Sequence, residues 1–72
     1  MREYLVIYER GNDGGWGAYA PDLPGLGVAA ETFEKVHELI CEGIVIHIDG
    51  LKGDDLPIPE PTSFAARVAV AA

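Results

Sequence analysis

The sequence predicts a single α+β domain over residues 1–72, with a three-stranded antiparallel meander, one amphipathic helix and a fourth strand. Three short apolar runs, separated by clusters of Gly, Asn, Asp and Pro, indicate the meander. Apolar residues at helical spacing follow, and then a run in which apolar residues alternate. Three consecutive strands before one helix favour an antiparallel sheet that is covered on one face.

The first two strands are predicted over Arg2–Glu9 and Trp16–Ala20, on either side of a hairpin loop at Arg10–Gly15. This loop contains Asn, Asp and Gly, which tolerate the positive φ angles of tight turns, so we do not interpret its glycines as a phosphate-binding loop. A turn at Pro21–Gly25 follows, and Pro21 ends regular pairing because it has no backbone N–H.

The third strand is predicted over Leu26–Ala30, and the helix from Phe33 to about Ile48 with Thr32 as its N-cap. Lys35 stands where a capping box would have an acidic residue. The apolar stripe of the helix consists of Phe33, Val36, Ile40, Ile44 and Ile48. The β-branched part Gly43–Ile48 leaves a strand open as an alternative.

The remaining sequence predicts a connection and a last strand. Gly50–Ser63 concentrates Gly, Asp and Pro and is interpreted as an extended polar connection. In Phe64–Val70 apolar residues alternate with period two, which predicts the fourth strand and the order βββαβ.

Composition restricts the function classes. A formal net charge of -7 disfavours direct binding to nucleic acid or anionic membranes and favours a basic partner. The single cysteine, Cys41, cannot form an internal disulfide, and no signal-like segment opens the sequence, so we expect a cytoplasmic protein. Apolar stretches are too short to span a membrane.

No catalytic residues, metal site or cofactor are predicted. Carboxylates on the exposed side of the helix are interpreted as a surface for a basic protein, not as metal ligands; they are Glu31, Glu34, Glu38 and Glu42. His37 and Cys41 share a helical face, but two ligands make a weak zinc signal, and they are interpreted as packing residues. A nucleophile and base on adjacent helical turns also lack an orienting third group.

Asp22 and the aromatic residues have two interpretations each. Asp22 either bonds the backbone of its own turn, which we favour, or is a functional carboxylate. For the aromatic residues we favour packing in the core and at interfaces over stacking on nucleic-acid bases. Base-stacking platforms lie in positively charged grooves, and this chain is acidic. Edge strands and surplus apolar surface predict a homodimer, with an interface that includes Tyr4, Val6, Tyr8, Val45 and Ile46.

The run from Gly14 to Gly50 resembles the HicB-like antitoxin family. It contains GGWGAYA, PDLPG, a short strand and a helix that opens with Thr and continues with acidic residues. Leu56–Ser63 (LPIPEPTS) is similar to the segment that joins helix and last strand in that family. The resemblance implies a partial ribonuclease-H-like fold without a nuclease site.

The resemblance also implies a function. Such a protein neutralises a small basic HicA-type toxin, which cleaves messenger RNA, by occlusion and without catalysis. We expect the toxin to bind Asp22, Leu23, Glu34, Glu38 and Glu42. Because family members often continue into a DNA-binding module and this sequence ends at Ala72, we expect no operator binding.

Two other hypotheses remain. The first is an orphan module that associates with itself and has no toxin partner. The second is an enzyme that uses His37, Cys41 and Glu42. The neighbouring genes and the mass in solution would separate the antitoxin from the orphan module.

Overall fold

A computed structural model describes all residues from Met1 to Ala72. Its elements are three strands and one helix in the order β1 (Ile7–Arg10), β2 (Trp16–Tyr19), β3 (Gly27–Ala30) and α1 (Phe33–Gly53). The strands form one antiparallel sheet in the order β1-β2-β3. The predicted α+β class and three-stranded meander are confirmed.

The first strand is shorter than predicted. β1 begins at Ile7, which pairs with Tyr19, the last residue of β2. Pro21 follows shortly and has no N–H to donate, so the residues before Ile7 find no continuing ladder. At its other end β1 includes Arg10, which pairs with Trp16.

The predicted hairpin loop is confirmed between β1 and β2. Its backbone closes with a hydrogen bond from the Gly11 N–H to the Gly15 carbonyl at 2.8 Å. Asp13 accepts a hydrogen bond from the Gly15 N–H at 2.9 Å. Gly14 has a φ of 87°, which a residue without a Cβ adopts readily.

The helix extends beyond its predicted end. α1 continues to Gly53, so a strand at Gly43–Ile48 is wrong and the connection begins after Gly53. Leu51, which is half-buried, continues the apolar stripe one turn after Ile48. The helix ends at Asp54, whose N–H donates to the Gly50 carbonyl at 3.1 Å.

One face of the sheet packs against α1. The core cluster joins Ala18 of β2 to Val36 and Ile40 of α1, and all three are at most 3% exposed. Half-buried apolar side chains surround it, namely Val6, Tyr8, Trp16, Leu26, Val28, Ala30 and Ile44. No helix is both long enough and apolar enough to cross a membrane.

The predicted fourth strand is not present in the single chain. Phe64–Val70 belongs to no strand ladder. Its alternating apolar residues specify an extended backbone, but a strand also requires a neighbour that accepts and donates hydrogen bonds. No neighbour within the chain provides them.

Candidate functional site

An acidic row lies along the exposed side of α1. It consists of Glu34, Glu38 and Glu42, which lie on consecutive turns and are all exposed. Residues four apart on a helix are neighbours, so the three carboxylates form one continuous surface. Lys35 Nζ lies 3.7 Å from Glu38 Oε1, but both side chains are more than half exposed and the pair is weak.

The row starts where the helix starts, and Glu31, which was predicted to belong to it, precedes the N-cap Thr32 and lies outside the helix. The Thr32 hydroxyl accepts a hydrogen bond from the Lys35 N–H at 3.1 Å, which confirms the predicted N-cap. Glu34 lies in the first turn, where a carboxylate interacts favourably with the helix dipole. No group of three or more His, Cys, Asp or Glu side chains is arranged to hold a metal ion.

An aromatic cluster borders the acidic row. The Phe33 ring lies between Tyr8 and Trp16, with centroid distances of 4.8 and 5.3 Å. His37 stacks on Phe33 with an angle of 10° between the rings. Arg10 lies 5.8 Å from the centroid of Trp16. Phe33 remains 41% exposed, so the cluster offers apolar surface to a partner at the first turn of α1, which also contains Glu34.

Tyr8, His37 and Cys41 form a chain of polar contacts on this surface. The Tyr8 hydroxyl hydrogen-bonds with His37 Nδ1 at 2.5 Å, and Cys41 Sγ lies 3.7 Å from His37 Nε2. Burial raises the pKa of Tyr8, and the neighbouring Cys41 side chain adds a smaller increase, so the phenol stays protonated at neutral pH.

This contact corrects one expectation about the histidine. Tyr8 is a third group that orients His37, and sequence reasoning missed it because 29 positions separate the two residues. His37 and Cys41 are exposed and not buried packing residues. Neither residue lines any of the three surface grooves.

Asp22 holds the segment that follows α1. Its carboxylate accepts four hydrogen bonds, two each from the backbone N–H and hydroxyl groups of Thr62 and Ser63, at 2.7–3.1 Å. The favoured interpretation, in which Asp22 bonds its own turn, is therefore wrong. The turn is closed by backbone bonds, including Leu23 N–H to the Ala20 carbonyl at 3.0 Å.

The hydrogen bond from the Ser63 backbone N–H has the largest effect on the pKa of Asp22. Together with the hydroxyl of Ser63 and the two groups of Thr62, it lowers the pKa of Asp22. Leu23, the neighbouring residue predicted to contact a partner, is fully buried. Contact of Asp22 and Leu23 with a partner stays a prediction.

The residues predicted for self-association lie in two places. Val45 and Ile46 are exposed on α1, at 59% and 70%. Tyr4 and Val45 line one open groove of about 340 Å³, together with Arg2, Ile44, Ile48, Asp49, Lys52 and Ile58. Val6 and Tyr8 pack against the core cluster instead. Their role in self-association also stays a prediction.

Comparisons with known proteins agree with the sequence resemblance. Residues 4–71 match the family model described as the HicB-like antitoxin of bacterial toxin-antitoxin systems. The UPF0150 protein ssr1765 of Synechocystis sp. is 35% identical over 57 residues, which cover 79% of this chain and 72% of that protein. The resemblance is confirmed, and the chain belongs to the HicB-like antitoxin family.

Proposed function

We propose that this protein binds and neutralises a small basic HicA-type toxin that cleaves messenger RNA. The acidic row on α1, in a chain of net charge -7 that belongs to an antitoxin family, is the observation that carries the proposal. The protein acts in the cytoplasm by occlusion: it covers the toxin surface that would bind RNA, performs no catalysis and contacts no nucleic acid itself.

Charge provides the first step of recognition. The acidic row attracts a basic protein over a distance of about one Debye length, roughly 8–10 Å at physiological salt. Complementary potentials accelerate encounter and fix the orientation of the partners. Lys35 offsets only part of this field, because it pairs loosely with Glu38 alone.

Apolar contact provides the second step. The partly exposed Phe33 ring lies in the same first helical turn as Glu34 and is supported by Tyr8 and Trp16. Supported aromatic side chains next to charges are typical of residues that dominate binding energy at protein interfaces. The turn that contains Asp22 and Leu23 is the second proposed contact, with Leu23 supporting it from the core.

Self-association accompanies toxin binding in this proposal. The protein forms a homodimer through Tyr4, Val45 and Ile46, together with Val6 and Tyr8, which pack against the core cluster. Phe64–Val70 becomes the fourth strand in that assembly, which completes the βββαβ order and the partial ribonuclease-H-like architecture. A chain with only five buried residues has little core of its own and benefits from a partner.

Co-expression with any small basic protein that is encoded beside this gene tests the proposal. The full chain should restore growth and co-purify with that protein. A variant with Glu34, Glu38 and Glu42 replaced by Gln should lose both effects. A control variant with Glu3→Gln, Glu9→Gln and Asp54→Asn removes the same charge from other exposed positions and should keep them.

The orphan module is the alternative that this experiment separates. If no neighbouring protein is toxic and none co-purifies, while the chain still has the mass of a dimer, the antitoxin proposal fails and the self-associating module remains. Equal loss of rescue in the two charge variants would argue against the acidic row as the binding surface.

A further inference from the structure

We propose that Phe64–Val70 is an exchange arm that adds as a strand to a second copy of this chain and fills the groove beside Tyr4 and Val45 of that copy. The inference rests on the self-association and the fourth strand of the proposed function, and it adds that this strand is exchanged between protomers and where it docks. The arms are exchanged reciprocally, so each protomer gives one and receives one.

The arm has no place on its own protomer. Phe64, Val68 and Val70 are 89%, 82% and 77% exposed, although they are the apolar positions of an alternating run. Such a run favours a strand with one buried face. Exposed segments with this pattern add to other chains or aggregate, unless a defined neighbour covers them.

The chain is less compact than a globular monomer of its size. Its radius of gyration is 14.1 Å, whereas a compact chain of this length has about 11 Å. It exposes 5560 Å², whereas a compact monomer of 7.7 kDa exposes about 4,300 Å². The excess, about 1,200 Å², exceeds the roughly 800 Å² that each partner buries in a stable interface.

The base of the arm is fixed to the body. Asp22 accepts four hydrogen bonds from Thr62 and Ser63, immediately before the arm. Just upstream, the Tyr4 hydroxyl donates to the Pro59 carbonyl at 2.6 Å, and Arg2 pairs with Glu60 at 3.1 Å. The arm therefore leaves the body from a defined point, which lowers the entropy lost when it docks.

The receiving groove lies beside that point. Tyr4 and Arg2 both line the groove and hold the segment at the base of the arm, and Ile58 of that segment lines it too. In a two-fold dimer the two arms leave from symmetry-related points, so each reaches the groove next to the partner's base. Val45, 59% exposed at the groove, is the apolar surface that the arm would cover.

Charge favours a second copy over the toxin as occupant. Arg67 is the only charged side chain between Pro61 and Ala72, while all twelve acidic residues lie before Pro61. The body of a second copy carries a net negative charge, which attracts Arg67 at a distance, while the groove itself is nearly balanced in charge, with Arg2, Lys52 and Asp49 in its lining.

Molecular mass in solution tests the arm. The full chain should sediment at twice the 7.7 kDa of one protomer, and a chain that ends at Ser63 should be monomeric with the same circular dichroism of α1. Val68→Asp should weaken dimerisation about tenfold or more, equivalent to about 1.4 kcal/mol. Ala69→Asp, the matched control on the opposite side of the arm, should weaken it less.

Mixed labelling locates the arm. In a sample of labelled and unlabelled chains, filtered NOE spectra should show contacts between the Phe64 ring and the methyl groups of Val45 or Ile48 in the other copy. A dimer that survives removal of the arm would overturn this inference and leave self-association intact. A monomeric full chain would overturn both, and contacts of the arm with the toxin alone would assign it to that partner instead.

Discussion

Asp22 binds Ser63 twice, although 41 positions separate them. Oδ2 accepts the Ser63 N–H at 2.8 Å, and Oδ1 accepts its hydroxyl at 2.7 Å. Thr62 makes the same pair of contacts at 3.0 and 3.1 Å. One side chain in the turn after β2 thereby fixes the segment after α1 and the point from which the chain continues toward Phe64.

Replacing Asp22 should release that segment. Asp22→Asn removes the charge and one of the two acceptor oxygens, so we expect faster hydrogen exchange at the Thr62 and Ser63 amides, with Ala18 in the sheet unchanged. Asp13→Asn is the control, because Asp13 accepts a backbone N–H in another turn. Unchanged exchange at both amides would show that the carboxylate does not hold the segment.

Acid should release the same segment. The fold lowers the pKa of Asp22, so the stabilisation is fully present above the ordinary Asp value of about 3.9 and is lost as the pH falls through the lowered value. The amide shifts of Thr62 and Ser63 should therefore stay constant from neutral pH down to about pH 5 and move only in stronger acid. A midpoint above the ordinary value would contradict this.

Loss of the helix cap should destabilise the fold modestly. Thr32 Oγ1 accepts the Lys35 N–H, so Thr32→Ala should lower the free energy of unfolding by about 1 kcal/mol in a urea titration. Thr32→Ser keeps the oxygen and should change it much less. Equal effects of the two substitutions would assign the loss to the methyl group and not to the cap.

The core depends on a few side chains. Ile40 is fully buried between α1 and the sheet, so Ile40→Ala should lower the free energy of unfolding by about 2–5 kcal/mol and Ile40→Val by about 0.5–1.5 kcal/mol. The two variants should be measured at the same protein concentration, because self-association shifts the apparent free energy of unfolding. A change below about 0.5 kcal/mol for Ile40→Ala would contradict a core centred there.

The acidic row should control how fast the toxin binds. Replacing Glu34, Glu38 and Glu42 by Gln should slow association about tenfold at low salt, because attraction at the rim of an interface acts mainly on encounter. The control variant has substitutions at Glu3, Glu9 and Asp54. The difference in association rate between the two variants should disappear near 1 M salt, where the Debye length is about 3 Å. A decrease in association rate that does not depend on salt would indicate that the three carboxylates act by direct contact with the toxin and not by long-range attraction.

The local features of this fold can be predicted from the sequence. The hairpin loop around Gly14, the N-cap at Thr32 and the acidic row each depend on residues within a few positions of one another. Turn preference, capping and helical periodicity are local, so reading along the chain is sufficient for them. The motif order likewise identified the family, which the match over residues 4–71 confirms.

Contacts between distant residues were decided by the tertiary structure. The alternation in Phe64–Val70 specifies an extended backbone, but whether it becomes a strand depends on a neighbour that the sequence does not name. Asp22 could satisfy its carboxylate in its own turn, and only the folded chain brings Thr62 and Ser63 to it. The sequence by itself determined the three-stranded meander, the helix and its apolar face because turn preference and periodicity are local properties, whereas pairing across dozens of residues depends on how the elements pack.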